Sequence, residues 1–127
     1  MILLLDTSVL IDVLRGRRAR VEAVTEQVAL GNTLAISAVT VAEIYHGLRP
    51  SEESETEAVL ATLIVYDVTE TIARRAGKLM QSNKARGKTL TMADTLIAAT
   101  ALEFELALAT DNRRDFPMSD IHFVDLP

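Results

Sequence analysis

Five short apolar runs punctuate this chain, and the segments between them have helical character. The runs are ILLL (2–5), TLAIS (33–37), IVYDV (64–68), LALAT (106–110) and IHFVDL (121–126). A strand covered on both faces reads as a continuous hydrophobic run, and ILLL is the purest case. Between them, SVLIDVLRG (8–16) is apolar on nearly every side and predicts a short, well-buried helix. RRARVEAVTEQVAL (17–30) is amphipathic and closes at Gly31, where a helix C-terminus favours glycine. VAEIYHGLR (41–49) stops before Pro50, and SEESETEAVLATL (51–63) opens with acids, as a helix N-terminus prefers. TIARRAGKLMQSNKA (71–85) ends before Gly87, and MADTLIAATALEFE (92–105) leads into the fourth run. Such alternation predicts βαβ units: a three-layer α/β sandwich with a central, mostly parallel sheet of about five strands flanked by helices. The length, 127 residues, fits one domain spanning 1–127.

Composition narrows the chemistry. Hydrophobic residues make up 49% and charged residues 24%, which excludes a disordered chain. Without cysteine there are no disulfides or thiolate metal sites, and His46 and His122 are too few for an imidazole-based zinc site. Both histidines read as packing or surface residues, and any metal would be a hard, oxygen-bound cation. The N-terminal MILLL lacks a basic flank and meets Asp6, so neither a targeting nor a spanning segment is expected, and the cytoplasm is the expected location. A net charge of −5 argues against holding nucleic acid by bulk electrostatics, although RGRRAR (15–20) forms a local basic patch. Further cations gather at Arg74, Arg75 and Lys78, at Lys84, Arg86 and Lys88, and at Arg113 and Arg114, where a solvated helix face is the plainest explanation.

The acids carry more information. In a βαβ unit the C-terminal ends of strands and the N-terminal ends of the helices share one sheet edge, where ligands bind. Asp6 ends the first run, Glu43 opens the helix after the second, Asp94 opens the helix before LALAT, and Asp111 and Asp115 follow that run. Each has an ordinary explanation. TVAE (40–43) and TMAD (91–94) have capping-box spacing, with Thr40 and Thr91 as caps, and Asp6 or Asp111 could each form a turn. Together, however, several carboxylates on one edge repel one another, and a bound divalent cation resolves that conflict. Such a site activates water and stabilises charge on a phosphate.

Four segments in this order, LLLDTSVLID (3–12), SAVTVAEIYHGL (37–48), TMADTLIAATAL (91–102) and LALATDNRRDF (106–116), resemble the PIN-domain ribonucleases, specifically VapC-type toxins of toxin–antitoxin pairs. The resemblance covers essentially the whole chain and implies a Mg²⁺- or Mn²⁺-dependent endoribonuclease. Asp6, Glu43 and Asp94 match the family's three most regular acids and would be the metal ligands. The fourth acid is Asp115, by the pattern of Thr110, Asn112, Asp115 and Phe116, or else Asp111, directly after the strand; the first is favoured. Thr7, Ser8, Thr110 and Asn112 would be polar supports that orient carboxylates or waters. The resemblance further implies a homodimer and a VapB-type antitoxin lying over the groove. An acidic protein needs help to hold RNA, and pairing two protomers would align Arg15, Arg17 and Arg18 beside the acids as candidate RNA contacts. Small size without an appended domain favours a toxin over an RNA-processing nuclease. A PIN-fold binding module without activity is the rival from another class, and the full acid set argues against it. A haloacid-dehalogenase phosphatase would need an acid where Ser8 stands, and a receiver domain lacks its paired acids after the first run.

Overall fold

The computed structural model describes residues 1–126. The five apolar runs form β1 (Ile2–Leu5), β2 (Thr33–Ser37), β3 (Ile64–Tyr66), β4 (Ala107–Ala109) and β5 (His122–Val124). They lie in the order β3-β2-β1-β4-β5, and every neighbouring pair is parallel. The sheet is thus wholly parallel where the sequence predicted a mostly parallel one. Six helices connect the strands: α1 (Thr7–Leu14), α2 (Arg18–Ala29), α3 (Ala38–His46), α4 (Glu53–Leu60), α5 (Glu70–Ala85) and α6 (Met92–Glu103).

Alternation along the strands assigns the two faces. Leu4, Ala35 and Leu108 meet Ile97, Ala98 and Ala101 of α6, with Phe116 and Met118 closing that side. Leu5, Ile36 and Ala109 face the other way, against Val9 and Leu10 of α1, Val24 of α2, Ile44 of α3 and Leu60 of α4. α5 forms an outer layer on α6 through Ile72, Ala76 and Ala99. Leu3, Leu4, Val9, Ile36, Ile97 and Leu108 are each fully buried, at about 1.5–3 kcal/mol apiece for the larger side chains.

Two boundaries differ from the sequence expectation. α3 starts at Ala38 because Ser37, the last residue of β2, is itself the cap, its Oγ accepting from the Val39 N–H at 3.1 Å. Thr40 therefore lies inside the helix, fully buried, and Glu43 sits a turn deeper than a capping box requires. The segment 51–63 is split into a 3₁₀ turn at Pro50–Glu52 and the shorter α4, with a turn before β3.

The connections leave β1 in two directions. Its neighbour β2 follows directly, whereas β4 on the other side comes much later in the chain. This is the reversal of strand order beside which open α/β sheets build their crevice. The Asp6 N–H donates to the Ala109 carbonyl at 2.9 Å, so the chain leaves β1 hydrogen-bonded to the end of β4, at that crevice.

Candidate active site

Asp6 is the residue on which β1 turns into α1. Its Oδ1 accepts from the Thr7 N–H at 2.8 Å and caps the helix. Its Oδ2 accepts from Thr110 Oγ1 at 2.7 Å and from Ser8 Oγ at 3.3 Å. The Asn112 N–H donates to the Thr110 hydroxyl at 3.0 Å, which leaves the hydroxyl proton directed at Asp6. Asn112 thus supports the site through its backbone. Asp6 as a whole is only 5% exposed. Burial raises its pKa above the usual range, the charge of Glu43 adds to this, and the bonds from Thr110, Thr7 and Ser8 pull the other way.

Glu43 is held by a relay. Thr7 Oγ1 donates to Glu43 Oε1 at 2.6 Å and lies 3.0 Å from Thr40 Oγ1. A hydroxyl has one proton, so Thr40 must donate to Thr7 while Thr7 donates to the carboxylate. Reading Thr40 as a helix cap hid this role, because its partner lies 33 residues away.

Asp94 stands in the first turn of α6, where its N–H donates to the cap Thr91 Oγ1 at 3.1 Å. Its pKa is also raised, first by burial and then by the charges of Asp6, Asp115 and Glu43, with the Thr91 hydroxyl opposing. Four of the five expected acids are therefore linked through Asp94, which is affected by the other three, while Asp6 is affected by Glu43. Among the described residues none of these four forms an ion pair.

Asp111 has a different environment. Arg20 Nη2 lies between its two carboxylate oxygens at 2.7 and 2.6 Å. The same guanidinium contacts Asp12 at 3.4 Å and donates to the Leu126 carbonyl at 3.3 Å, which ties α1, α2 and the chain end to the loop after β4. The rest of the RGRRAR patch is also partly committed: Arg17 pairs with Asp12 at 3.4 Å and Arg18 with Glu22 at 3.0 Å. Arg15 lines a groove that also includes Glu43 and Arg49.

Among the described residues, no three acidic or histidine side chains stand close enough to enclose an ion by themselves. Mg²⁺, however, keeps several waters and takes only one or two carboxylates. An all-oxygen donor set, with like charges near each other and none of the four ion-paired among the described residues, fits a hydrated hard cation.

The chain is similar to known proteins along nearly its whole length. The family model "PIN domain" matches residues 3–121. Ribonuclease VapC10 of Mycobacterium tuberculosis is 41% identical, over 91% of this chain and 86% of its own. Ribonuclease VapC19 of the same organism is 36% identical over 91% and 92%. Among solved structures, a toxin-antitoxin complex from Klebsiella pneumoniae superposes with a TM-score of 0.77 at 32% identity, covering 93% of each chain.

Proposed function

The chain belongs to the PIN-domain family, and on that footing we propose that it is a Mg²⁺- or Mn²⁺-dependent endoribonuclease toxin of the VapC type. One observation supports this most: Asp94 feels the charges of Asp6, Glu43 and Asp115, and among the described residues none of the four is ion-paired. Carboxylates crowded in this way weaken the fold, and binding a divalent cation reverses the penalty. The ribonuclease names of the relatives give the reaction, and the Klebsiella complex supports an antitoxin partner. A VapB-type antitoxin, a homodimeric assembly, a single domain over 1–127 and a cytoplasmic location complete the proposal.

Asp6 and Asp94 would hold the cation, with Glu43 completing the set or orienting water through its free oxygen. When bound, Mg²⁺ or Mn²⁺ supplies Lewis-acid stabilisation of phosphate charge and lowers the pKa of coordinated water. The chain's own groups do the rest. The Thr110 and Ser8 hydroxyls hold Asp6 Oδ2 in place, while Oδ1 is fixed on the helix end. The Thr40–Thr7 relay fixes Glu43 Oε1 and leaves Oε2 outside that pair of hydrogen bonds. Asp115 is the fourth acid by its charge on Asp94, and Asp111 is the counter-ion of Arg20. Arg15, which lines the groove beside Glu43, and Arg17 and Arg18, whose side chains stay largely exposed, would be the RNA contacts of the basic run.

The test is cleavage of end-labelled single-stranded RNA in Mg²⁺, Mn²⁺ or EDTA by the wild type, Asp6→Asn and Asp94→Asn. Cutting that requires metal and is lost in both variants is expected. Cutting that persists in EDTA or in Asp94→Asn would sink the proposal.

A further inference from the structure

The acid cluster opens on one side into a groove of about 480 Å³ lined by Lys88, Thr89, Leu90, Thr91, Asp94, Arg114, Asp115 and Pro117. Two cations on this wall stand out because neither is committed to a partner. Among the described residues, neither Lys88 nor Arg114 forms an ion pair or a side-chain hydrogen bond, unlike their neighbours. Arg113 is paired with Asp125 and lies 4.9 Å from the centre of the Phe123 ring. Arg86 donates to Asn83.

Local structure holds the Lys88 backbone in place. α5 ends in a Schellman motif: the Gly87 N–H donates to the Lys84 carbonyl at 2.9 Å and the Lys88 N–H to the Asn83 carbonyl at 2.8 Å. Gly87 takes φ +79°, the left-handed conformation that the motif needs. Arg114 is placed by the 3₁₀ turn Arg113–Asp115, the turn that also carries the acid acting on Asp94. Two exposed cations are thus set on rigid turns against a pocket of carboxylates, in a protein of net charge −5.

A polyanion entering this pocket meets repulsion from the acids unless a cation precedes them. We propose that Lys88 and Arg114 bind the RNA backbone phosphate adjacent to the one that is cut, and so fix the strand's path past Asp94 and Asp115. This rests on the ribonuclease reading above. Lysine ammonium and arginine guanidinium are both phosphate donors, and the Thr89 and Thr91 hydroxyls on the same wall suit phosphate oxygens. Leu90 and Pro117 give the groove an apolar surface for sugar or base.

The test measures kcat and KM for single-stranded RNA in Mn²⁺ across a range of salt, for the wild type, Lys88→Ala, Arg114→Ala and the double variant. Each single change is expected to raise KM about fivefold with kcat little changed, and to lower the salt slope of kcat/KM by about 0.7. Lys78→Ala, on the exposed surface of α5, serves as a control with unchanged KM. Both cationic residues are exposed and unpaired, so an unchanged circular dichroism melt is expected. A wild type that cuts no RNA overturns the ribonuclease reading and this proposal together. A wild type that cuts, beside a double variant with the same KM and salt slope, overturns this proposal alone. Loss of antitoxin binding with unchanged RNA kinetics also overturns it, because the groove would then serve a protein partner.

Discussion

Two aspartates four residues apart at the end of β4 should respond to the same substitution in opposite ways. Asp111→Asn removes a charge from a pair in which Arg20 is only 10% exposed and Asp111 is 46% exposed. Breaking a fully buried pair costs about 3–5 kcal/mol and a surface pair about 0–1 kcal/mol. This pair lies between those limits. The asparagine oxygen can still accept one hydrogen bond, and Asp12 at 3.4 Å remains as counter-charge. A cost of about 1.5 kcal/mol follows, equivalent to roughly 5 °C in Tm for a domain of this size. Asp115→Asn is different. Asp115 is exposed, pairs with no cation, and holds its turn through the backbone bond from its N–H to the Asn112 carbonyl at 2.9 Å. Its stability should stay within about 0.5 kcal/mol of the wild type, while RNA cleavage falls on the order of a hundredfold. The assays are circular dichroism melts in EDTA and cleavage of end-labelled RNA in Mn²⁺. An Asp111→Asn protein that melts like the wild type yet has lost cleavage would refute the assignment of these two acids.

Three further outcomes are expected. Thr7→Val removes the hydroxyl between Thr40 and Glu43 and should cost about 1 kcal/mol, with cleavage reduced roughly tenfold while metal-free folding persists; unchanged cleavage would contradict the relay. Burial and the neighbouring acids raise the pKa of Asp94, so its contribution to stability is present below the unfolded value near 3.8 and lost as pH rises through the higher folded value. Asp94→Asn should therefore melt above the wild type in EDTA at neutral pH, with the gap closing as pH falls, and a lower Tm at neutral pH would reverse the sign. Gly87→Ala places a Cβ at φ +79° and should cost about 1 kcal/mol, read as a lower urea midpoint with unchanged slope.

The edge of the sheet was legible in the sequence because strand ends and helix starts are local signals. Asp6 follows a run of leucines, and the Thr91–Asp94 spacing marks a helix start that the structure retains. The single error in placing an acid had a local cause. Two residues three apart, Ser37 and Thr40, can each cap a helix, and only the length of β2 decides that Ser37 does so. What could not be read is long-range pairing. RGRRAR looks like one basic patch, yet Arg20 turns inward to an aspartate 91 residues away while Arg18 pairs within its own helix. That contact also gives Asp111 a partner that Asp115 lacks among the described residues, where the sequence pattern leans to Asp115 but leaves both open. Likewise, Lys88 and Arg114 belong to two clusters that read as solvated helix faces, and only the fold brings them to one groove.

Asp6, Glu43, Asp94 and Asp115 are proposed to form a divalent-cation site. Calorimetric titration of Mn²⁺ into the metal-free wild type and Asp94→Asn tests it most directly. Saturable binding to the wild type that Asp94→Asn weakens by at least about tenfold is expected. Equal binding by both proteins, or none by the wild type, would contradict the claim and leave the four carboxylates as parts of the fold.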